Sequence, residues 1–180
     1  MIYMLLADGF EEVEALAPLD ILRRASLEVK TVSLEKTEAV TGAHGITVLA
    51  DIMPKDATES ISLLILPGGM PGSVNLDTSA VTESMIERTL SDNGRLAAIC
   101  AAPLVFGKRG LLRGKRAVCY PGFEKYLDGA ILSSESVVTD GNITTAIGMG
   151  AAVAFGAELA SQLLDKKAAD AILSAIHYKK

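Results

Sequence analysis

Residues 96–103 of the chain read LAAICAAP, in which four apolar residues run directly into a cysteine, two alanines and a proline. The apolar run is typical of a strand that is buried on both faces of a parallel sheet. Pro103 is typical of the first turn of a helix, where its missing N–H is not needed. We therefore predict that Cys100 lies in a nucleophile elbow, a strained strand-to-helix turn that requires small neighbours because the backbone turns tightly.

Other apolar runs of the same kind lie on both sides of this one in the sequence, and segments of helical periodicity separate them. In the first such segment Ala15, Leu19 and Leu22 share one stripe, and residues 150–164 are dense in Ala, Val, Phe and Leu. The alternation predicts an α/β fold in which helices cover both faces of a mostly parallel sheet. The predicted strands are Ile2–Ala7, Val29–Leu34, Leu63–Leu66, Leu96–Ile99 and Ile143–Ala146.

Two segments, 41–51 and 115–139, break this rhythm. The short β-prone pieces within them, 46–49 and 136–139, predict hairpins or edge strands at the margin of the sheet. The chain has 180 residues and contains no internal repeat or linker-like tract. We therefore predict a single domain that spans residues 1–180.

The composition excludes several classes of function. Apolar residues make up 49% of the sequence, but no uninterrupted apolar run approaches the roughly 18 residues that a membrane span requires. The net charge is −5, and no long basic run offers a surface to nucleic-acid phosphates. Cys100 and Cys119 have no metal-ligand spacing with each other or with the two histidines. We predict a soluble, cytoplasmic protein with reduced thiols and with no membrane, nucleic-acid, metal or cofactor partner.

Three predicted loops bring polar groups or glycines to one edge of the sheet, because the carboxyl ends of parallel strands all point to the same side. The loops read DGFEEVE at 8–14, PGG at 67–69 and CAAP at 100–103. Gly68 and Gly69 have no Cβ, so their N–H groups can come close to a bound carbonyl. The N–H groups of Gly69 and Ala101 are predicted to form an oxyanion hole.

Cys100 and Glu14 each allow a structural and a chemical interpretation. An isolated cysteine is more often a buried structural residue, but a position at a strand end favours a reactive thiol, and a nearby helix N-terminus favours the thiolate. Glu14 could belong to a structural network. It could instead face Cys100, where burial would favour its protonated form and let it donate a hydrogen bond to the thiolate. We interpret Glu11 and Glu12 as a solvated feature that caps the first helix.

Three further features have weaker claims to chemistry. His44 lies in a glycine-rich loop, where a histidine is more often a surface residue than a general base. Cys119 follows an apolar pair and is interpreted as a structural thiol. The Gly148-Met149-Gly150 turn is too short for a phosphate-binding fingerprint and predicts close packing.

Together, these motifs resemble the ThiJ/PfpI superfamily, and more closely its DJ-1 branch. The resemblance rests on ADGFEEVE at 7–14 with PLD at 18–20, on LPGG at 66–69, on AICAAP at 98–103, and on TDGN at 139–142 with GMG at 148–150. It implies a flavodoxin-like three-layer sandwich, a homodimer, and a reactive cysteine hydrogen-bonded to a protonated glutamate, matching Cys100 and Glu14. It also implies that Gly69 and Ala101 are the backbone N–H donors and that Arg24 and His44 lie near the dimer interface and the site.

The resemblance also implies a set of activities. Members of the superfamily are described as cofactor-independent glyoxalases, as deglycases, as redox-responsive chaperones and, in distant branches, as peptidases. Several members have a histidine near the cysteine at the position that follows Cys119, and this chain has Tyr120 there. A Cys–His peptidase pair is therefore not supported, because the base must lie within hydrogen-bond reach of the nucleophile. Tyr120 is retained as a supporting residue.

We therefore predict a cysteine-dependent enzyme that acts on reactive dicarbonyls or on their early protein adducts. Cys100 and Glu14 would be catalytic, and Gly68, Gly69 and Ala101 would bind substrate. The alternative is a redox-sensing or stress-response chaperone that uses oxidation of Cys100, since both functions require a reachable, reactive thiol. A third hypothesis is a module that binds a small metabolite.

Overall fold

The computed structural model describes residues 1–178, and within them the backbone forms strands and helices in alternation. The strands are β1 (Ile2–Leu6), β2 (Val29–Ser33), β3 (Ala39–Thr41), β4 (Thr47–Leu49), β5 (Leu63–Leu66), β6 (Arg95–Ile99), β7 (Arg116–Ala117), β8 (Ile131–Leu132), β9 (Val137–Asp140) and β10 (Ile143–Ala146). The α-helices are α1 (Glu12–Arg24), α2 (Gly72–Thr78), α3 (Ala80–Ser91), α4 (Pro103–Lys108), α5 (Ala152–Leu163) and α6 (Lys166–Ala175). Of these helices, none has both the length and the apolar character that crossing a bilayer would take.

The central sheet has six strands in the order β2-β1-β5-β6-β10-β9. All neighbouring pairs are parallel except β10 with β9, which closes one edge as an antiparallel pair. Every residue of β1, β5 and β10 is buried. Burial on both faces explains why β1 and β5 are continuous apolar runs rather than alternating patterns, whereas β10 buries two threonines, Thr144 and Thr145.

Two layers of core cover the faces of this sheet. On one face Ala15, Leu19 and Leu22 of α1 pack with Phe155 and Leu159 of α5. On the other face the core is formed by Leu76 of α2, Met85 and Ile86 of α3, and Leu104, Val105 and Phe106 of α4. The architecture is the predicted α/β three-layer sandwich, and the stripe predicted on α1 is confirmed.

The two segments that break the βα rhythm also behave as predicted. Residues 46–49 contribute to β4, which pairs with β3 in a separate hairpin. Residues 136–139 contribute to β9, the antiparallel edge strand of the central sheet. The hairpin is relevant to the site because its connecting loop lies against the start of α1, where the backbone N–H of His44 donates to the Glu12 carboxylate.

Candidate active site

Cys100 lies at the turn between β6 and α4 with a left-handed backbone, at φ 65°. A non-glycine residue rarely adopts this conformation, and the surrounding hydrogen bonds hold it there. The Cys100 N–H donates to the Ala146 carbonyl at 2.9 Å, and the Tyr120 N–H donates to the Cys100 carbonyl at 2.8 Å. Pro103 begins α4 as expected. The nucleophile elbow is therefore confirmed, with a half-buried thiol between two buried segments.

The glycine pair at 68–69 forms the wall that faces this thiol. A Cβ on Gly68 would lie 2.5 Å from the Cys100 Cβ and would overlap Glu14 Oε2, so only glycine fits there. Gly69 has φ 93° and packs against the first loop, where a Cβ would lie 2.6 Å from the Gly9 carbonyl oxygen. The backbone N–H groups of Gly69 and Ala101 lie beside the Cys100 sulfur and lower its pKa. Both N–H groups are therefore near the reactive atom, as an oxyanion hole at these positions would require.

Glu14 faces Cys100 from the first turn of α1, with only 1% of its surface exposed. Its backbone N–H donates to Glu11 Oε2 at 2.6 Å, so Glu11 caps the helix as predicted. Burial, with a smaller contribution from the Glu11 charge, raises the pKa of Glu14 to about 7, although the Cys100 thiol and the N–H groups of Gly68 and Met149 lower it. Glu14 Oε2 has no hydrogen bond of conventional geometry within residues 1–178, which leaves an oxygen available to carry a proton.

The thiol is strongly influenced by this carboxyl. Burial first, and then the charge and hydrogen bond of Glu14, raise the pKa of Cys100 to about 12, although the N–H groups of Gly69 and Ala101 lower it. The expected thiolate is therefore not favoured while Glu14 is ionised. Protonation of Glu14 removes its negative charge and converts it from an acceptor to a donor. Above about pH 7, where the pair has lost its first proton, Cys100 and Glu14 consequently hold one proton between them.

His44 and Glu12 form a second polar cluster beside the cap of α1. His44 Nδ1 lies 2.8 Å from Glu12 Oε2, and the N–H groups of His44 and Ile46 donate to Glu12 Oε1. The prediction that Glu12 is solvated is wrong: it is 5% exposed, because Gly42 leaves room for its carboxylate and these donors satisfy it. His44 is a surface residue as predicted, and its hydrogen bond to Glu12 raises its pKa.

Within residues 1–178, the cluster of Glu11, Glu12 and His44 is the group whose ligand atoms, all within 4.8 Å of one another, could surround a cation. The Glu12 oxygens already accept from His44 and from backbone N–H groups. Glu11 Oε2 already accepts from Glu14 N–H. Through these hydrogen bonds, the cluster holds the first loop and the start of α1 in place in this structure.

Arg24 is not part of this arrangement. It pairs with Asp20 at 2.6 Å near the last turn of α1, and ten residues of helix separate it from Glu14, about 15 Å along the axis. Tyr120, by contrast, is bonded to Cys100 through its backbone. Its ring also lies near Glu14, because a Cβ on Gly148 would lie 3.3 Å from Tyr120 Cδ2 and 3.8 Å from Glu14 Oε1.

The turn at 148–150 contributes to the site, although the sequence predicts only close packing there. The Met149 N–H lies beside the Glu14 carboxyl and lowers its pKa, and Gly148 lies between that carboxyl and the Tyr120 ring. The turn follows β10, a parallel strand, at the same sheet edge as the other three loops. Because the carboxyl ends of parallel strands meet at one edge of a sheet, the sequence position of this turn after a predicted strand also indicates a place at the site. Cys119 is buried, in agreement with its structural interpretation.

Comparison with known proteins finds one family throughout. The model of the DJ-1/PfpI family matches residues 1–162. Protein DJ-1 homolog B of Arabidopsis thaliana is 41% identical over 166 residues, which cover 91% of this chain but only 38% of that protein, so the chain spans well under half the length of this relative. A deglycase of Pyrococcus horikoshii is 34% identical over 145 residues, covering 78% of this chain and 86% of the deglycase. The structure of oxidised DJ-1 of Toxoplasma gondii superposes with a TM-score of 0.95 at 32% identity, covering 99% of this chain and 98% of that one.

Proposed function

This chain belongs to the DJ-1/PfpI family, and from that premise we propose that it is a cysteine-dependent enzyme acting on reactive dicarbonyls or on their early adducts with proteins. The observation that carries the proposal is the Cys100–Glu14 pair, a half-buried thiol beside a buried carboxyl whose pKa is raised to about 7. Pyrococcal relatives named as deglycases support the substrate class.

The proposed chemistry uses the single proton that the pair holds. In the reactive form Cys100 is the thiolate and Glu14 carries the proton. The sulfur adds to the aldehyde carbon of a 2-oxoaldehyde, and the carbonyl electrons move to the oxygen, which the Gly69 and Ala101 N–H groups can stabilise. Glu14 gives its proton to this oxygen and is left as a carboxylate, ready to act as a base.

The remaining steps move one proton between adjacent carbons. The Glu14 carboxylate removes the proton from the carbon bonded to sulfur, and the electron pair moves to the ketone oxygen. The hydroxyl proton of the first carbon passes to that oxygen, which leaves an enediolate with its negative charge on the first oxygen. Glu14 then returns the proton to the neighbouring carbon, which gives a thioester of the 2-hydroxy acid. Water hydrolyses the thioester and releases the acid and the thiol, so methylglyoxal and water together yield lactate. For an adduct, the Cys100 sulfur would replace the amine or thiol of the protein on the hemiaminal or hemithioacetal carbon, and the Glu14 proton would go to this leaving group before the same later steps follow.

Product formation tests this proposal directly. We expect the wild type to form lactate from methylglyoxal, and we expect Cys100→Ala to lose this activity, because the substitution removes the sulfur that forms the covalent intermediate. Glu14→Gln should lose about 10²-fold or more, which is a typical contribution of general acid–base catalysis. Cys119→Ala is the matched control, since it removes a buried thiol of structural character. Equal rates for the wild type and Cys100→Ala would refute the proposal.

A second candidate function is redox sensing through Cys100. Its half-buried thiol is reachable, and the unpaired Glu14 Oε2 could donate a hydrogen bond to an oxidised sulfur once it is protonated. The relative from Toxoplasma gondii, whose structure is that of an oxidised form, supports this candidate. Each peroxide would transfer one oxygen atom to the sulfur and leave as water, so two equivalents give the sulfinate. Intact mass after mild peroxide decides the point, because an unchanged mass in the wild type would exclude the sensor.

We also propose that the chain forms a homodimer, that residues 1–180 fold as one domain, and that it works in the cytoplasm with free thiols. Four large apolar side chains are left exposed: Val13 and Leu16 on α1, Ile46 in the loop of the β3–β4 hairpin, and Leu49 on β4. Val13 shares its helix face with Asp20 and Arg24. This surface, made of Val13, Leu16, Ile46 and Leu49, would meet its copy. Leu49→Glu should shift the protein to a monomer in sedimentation, whereas Ile131→Glu, an exposed apolar site on β8, should not.

A further inference from the structure

The Tyr120 side chain stands at the mouth of the site rather than in the core. Its backbone N–H donates to the Cys100 carbonyl at 2.8 Å, which fixes the residue beside the elbow. Its ring approaches the same Gly148 that borders the Glu14 carboxyl. Phe123 packs edge-on against the ring, with 6.5 Å between the centroids, and this contact holds the ring in place. A rigid aromatic surface therefore lies next to the thiol–carboxyl pair.

Two methionines flank the same pair and share the unusual exposure of Tyr120. Met70 lies two residues after Gly68, at which a Cβ would lie 2.5 Å from the Cys100 Cβ, and Met149 follows Gly148, at which a Cβ would lie 3.8 Å from Glu14 Oε1. The exposed fractions are 49% for Met70, 51% for Tyr120 and 54% for Met149. Large apolar side chains left half exposed around a reactive group are typical of a binding surface for an apolar ligand, because a bound group would remove them from water.

The charges around the pair favour a substituent without negative charge. Glu11 acts on Glu14 and Glu14 acts on Cys100, so the charges that influence the two groups are acidic. Two cations that approach this aromatic row, Lys108 and Lys125, lie over Tyr126 at 5.4 and 5.1 Å from its ring centroid, two aromatic side chains away from the elbow. An anionic group at the Tyr120 ring would gain little from these lysines and would meet the field of the acids.

From these observations we propose that Tyr120, Met70 and Met149 form an apolar wall and that the site prefers 2-oxoaldehydes with an aryl or bulky apolar substituent to methylglyoxal. Tyr120 is then a specificity-determining residue, which stacks on the substituent while the aldehyde reaches Cys100. The proposal rests on the proposed function for its substrate class, but the wall itself can be tested without turnover.

The test compares an aryl probe with a methyl probe in two independent reactions. The first measures kcat/KM for phenylglyoxal against methylglyoxal, read as formation of mandelate and lactate. The second measures the rate of labelling of Cys100 by N-phenylmaleimide against N-methylmaleimide, read by peptide mass. Each phenyl-to-methyl ratio is measured for the wild type, Tyr120→Ala, Tyr120→Phe and Tyr126→Ala. Tyr126→Ala is the matched control, because it removes the same side chain further along the aromatic row.

We expect Tyr120→Ala to lower the phenyl-to-methyl ratio about three- to tenfold in both reactions, which corresponds to the loss of one aromatic contact. Tyr120→Phe and Tyr126→Ala should keep the wild-type ratio. A ratio that Tyr120→Ala leaves unchanged in both reactions would overturn the wall. If the wild type turns over neither aldehyde, the proposed function fails, and the maleimide ratio still decides whether the wall exists.

Discussion

At the scale of single residues, the Cys100–Glu14 pair behaves as one titrating unit. The pKa of Glu14 is raised to about 7 by burial, and the Glu14 carboxylate contributes to a pKa of about 12 for Cys100. When only one proton remains, it can sit on either group, and the share of thiolate is then set by the balance between the two forms rather than by pH. The rate at which the Cys100 thiol reacts therefore depends on how the remaining proton is shared between Cys100 and Glu14.

This coupling predicts an unusual pH profile for alkylation of Cys100. In the wild type the rate should rise with pH up to about 7, where the pair loses its first proton, and should then level off. In Glu14→Gln the thiol titrates alone, so the rate should keep rising through the alkaline range until the thiol itself is ionised. Glu11→Gln keeps both groups of the pair and serves as the control; it should keep the plateau but reach it at a somewhat lower pH, because the Glu11 charge raises the pKa of Glu14. A wild-type rate that rises steadily through neutral pH and far into the alkaline range would contradict the shared proton.

At the scale of elements, the contact between α1 and α5 depends on a glycine. A Cβ on Gly156 would lie 2.8 Å from Pro18 Cα and 3.0 Å from Ile21 Cβ, and neither atom can move without moving α1. We expect Gly156→Val to lower the free energy of unfolding by about 1–3 kcal/mol or more, which is typical of overpacking. Because Glu14 lies on α1, a displaced helix should also slow the chemistry.

Denaturant unfolding of Gly156→Val checks this expectation, with Gly150→Val as the control. Gly150 lies in the turn before α5, and a Cβ added there would have nothing within 4 Å. Gly150→Val should therefore lower the free energy of unfolding by less than Gly156→Val does. If the two variants were equally stable, the close approach of the helices would have no energetic consequence.

Most strands of the central sheet could be predicted from the sequence, because strands that are buried on both faces are rich in apolar residues. The five predicted strands correspond to β1, β2, β5, β6 and β10. The elbow at Cys100 was equally visible, since a strand, a cysteine and a helix-starting proline follow one another directly. Glu12 was misinterpreted because its partners, Gly42 and His44, lie some thirty positions away in sequence. A contact between residues so far apart in sequence leaves no local pattern from which it could be predicted. The position of the Met149 N–H beside Glu14 could not be predicted for the same reason.

At the scale of the whole molecule, the buried Glu14 should make stability depend on pH. A carboxyl titrates at about 4.5 when it is exposed and at about 7 in the fold, so the unfolded chain loses its proton first as the pH rises. The contribution of Glu14 is therefore complete below about pH 4.5 and is lost between about pH 4.5 and 7. A shift of this size corresponds to about 3 kcal/mol at most, and solvent near the site reduces it to about 2–3 kcal/mol.

Urea unfolding at about pH 4.5 and about pH 7.5 measures this difference, with Glu14→Gln as the comparison. The glutamine variant lacks the titration and should lose about 2–3 kcal/mol less than the wild type over the same interval. Other groups titrate equally in both proteins, so the difference between them isolates Glu14. Parallel pH curves for the two proteins would show that the carboxyl stays solvated.

The Cys100 N–H donates to the carbonyl of Ala146, and the Met149 N–H lies beside the Glu14 carboxyl, so residues nearly fifty positions downstream of the cysteine hold the reacting pair in place. During synthesis, Cys100, Glu14 and the two glycines Gly68 and Gly69 would leave the ribosome well before Ala146 and Met149 are available to contact them. A nascent polypeptide that stops short of residue 149 should thus carry an ordinary cysteine, unselective and without catalytic power. The proposed chemistry therefore depends on a segment that is synthesised nearly fifty residues after the nucleophile.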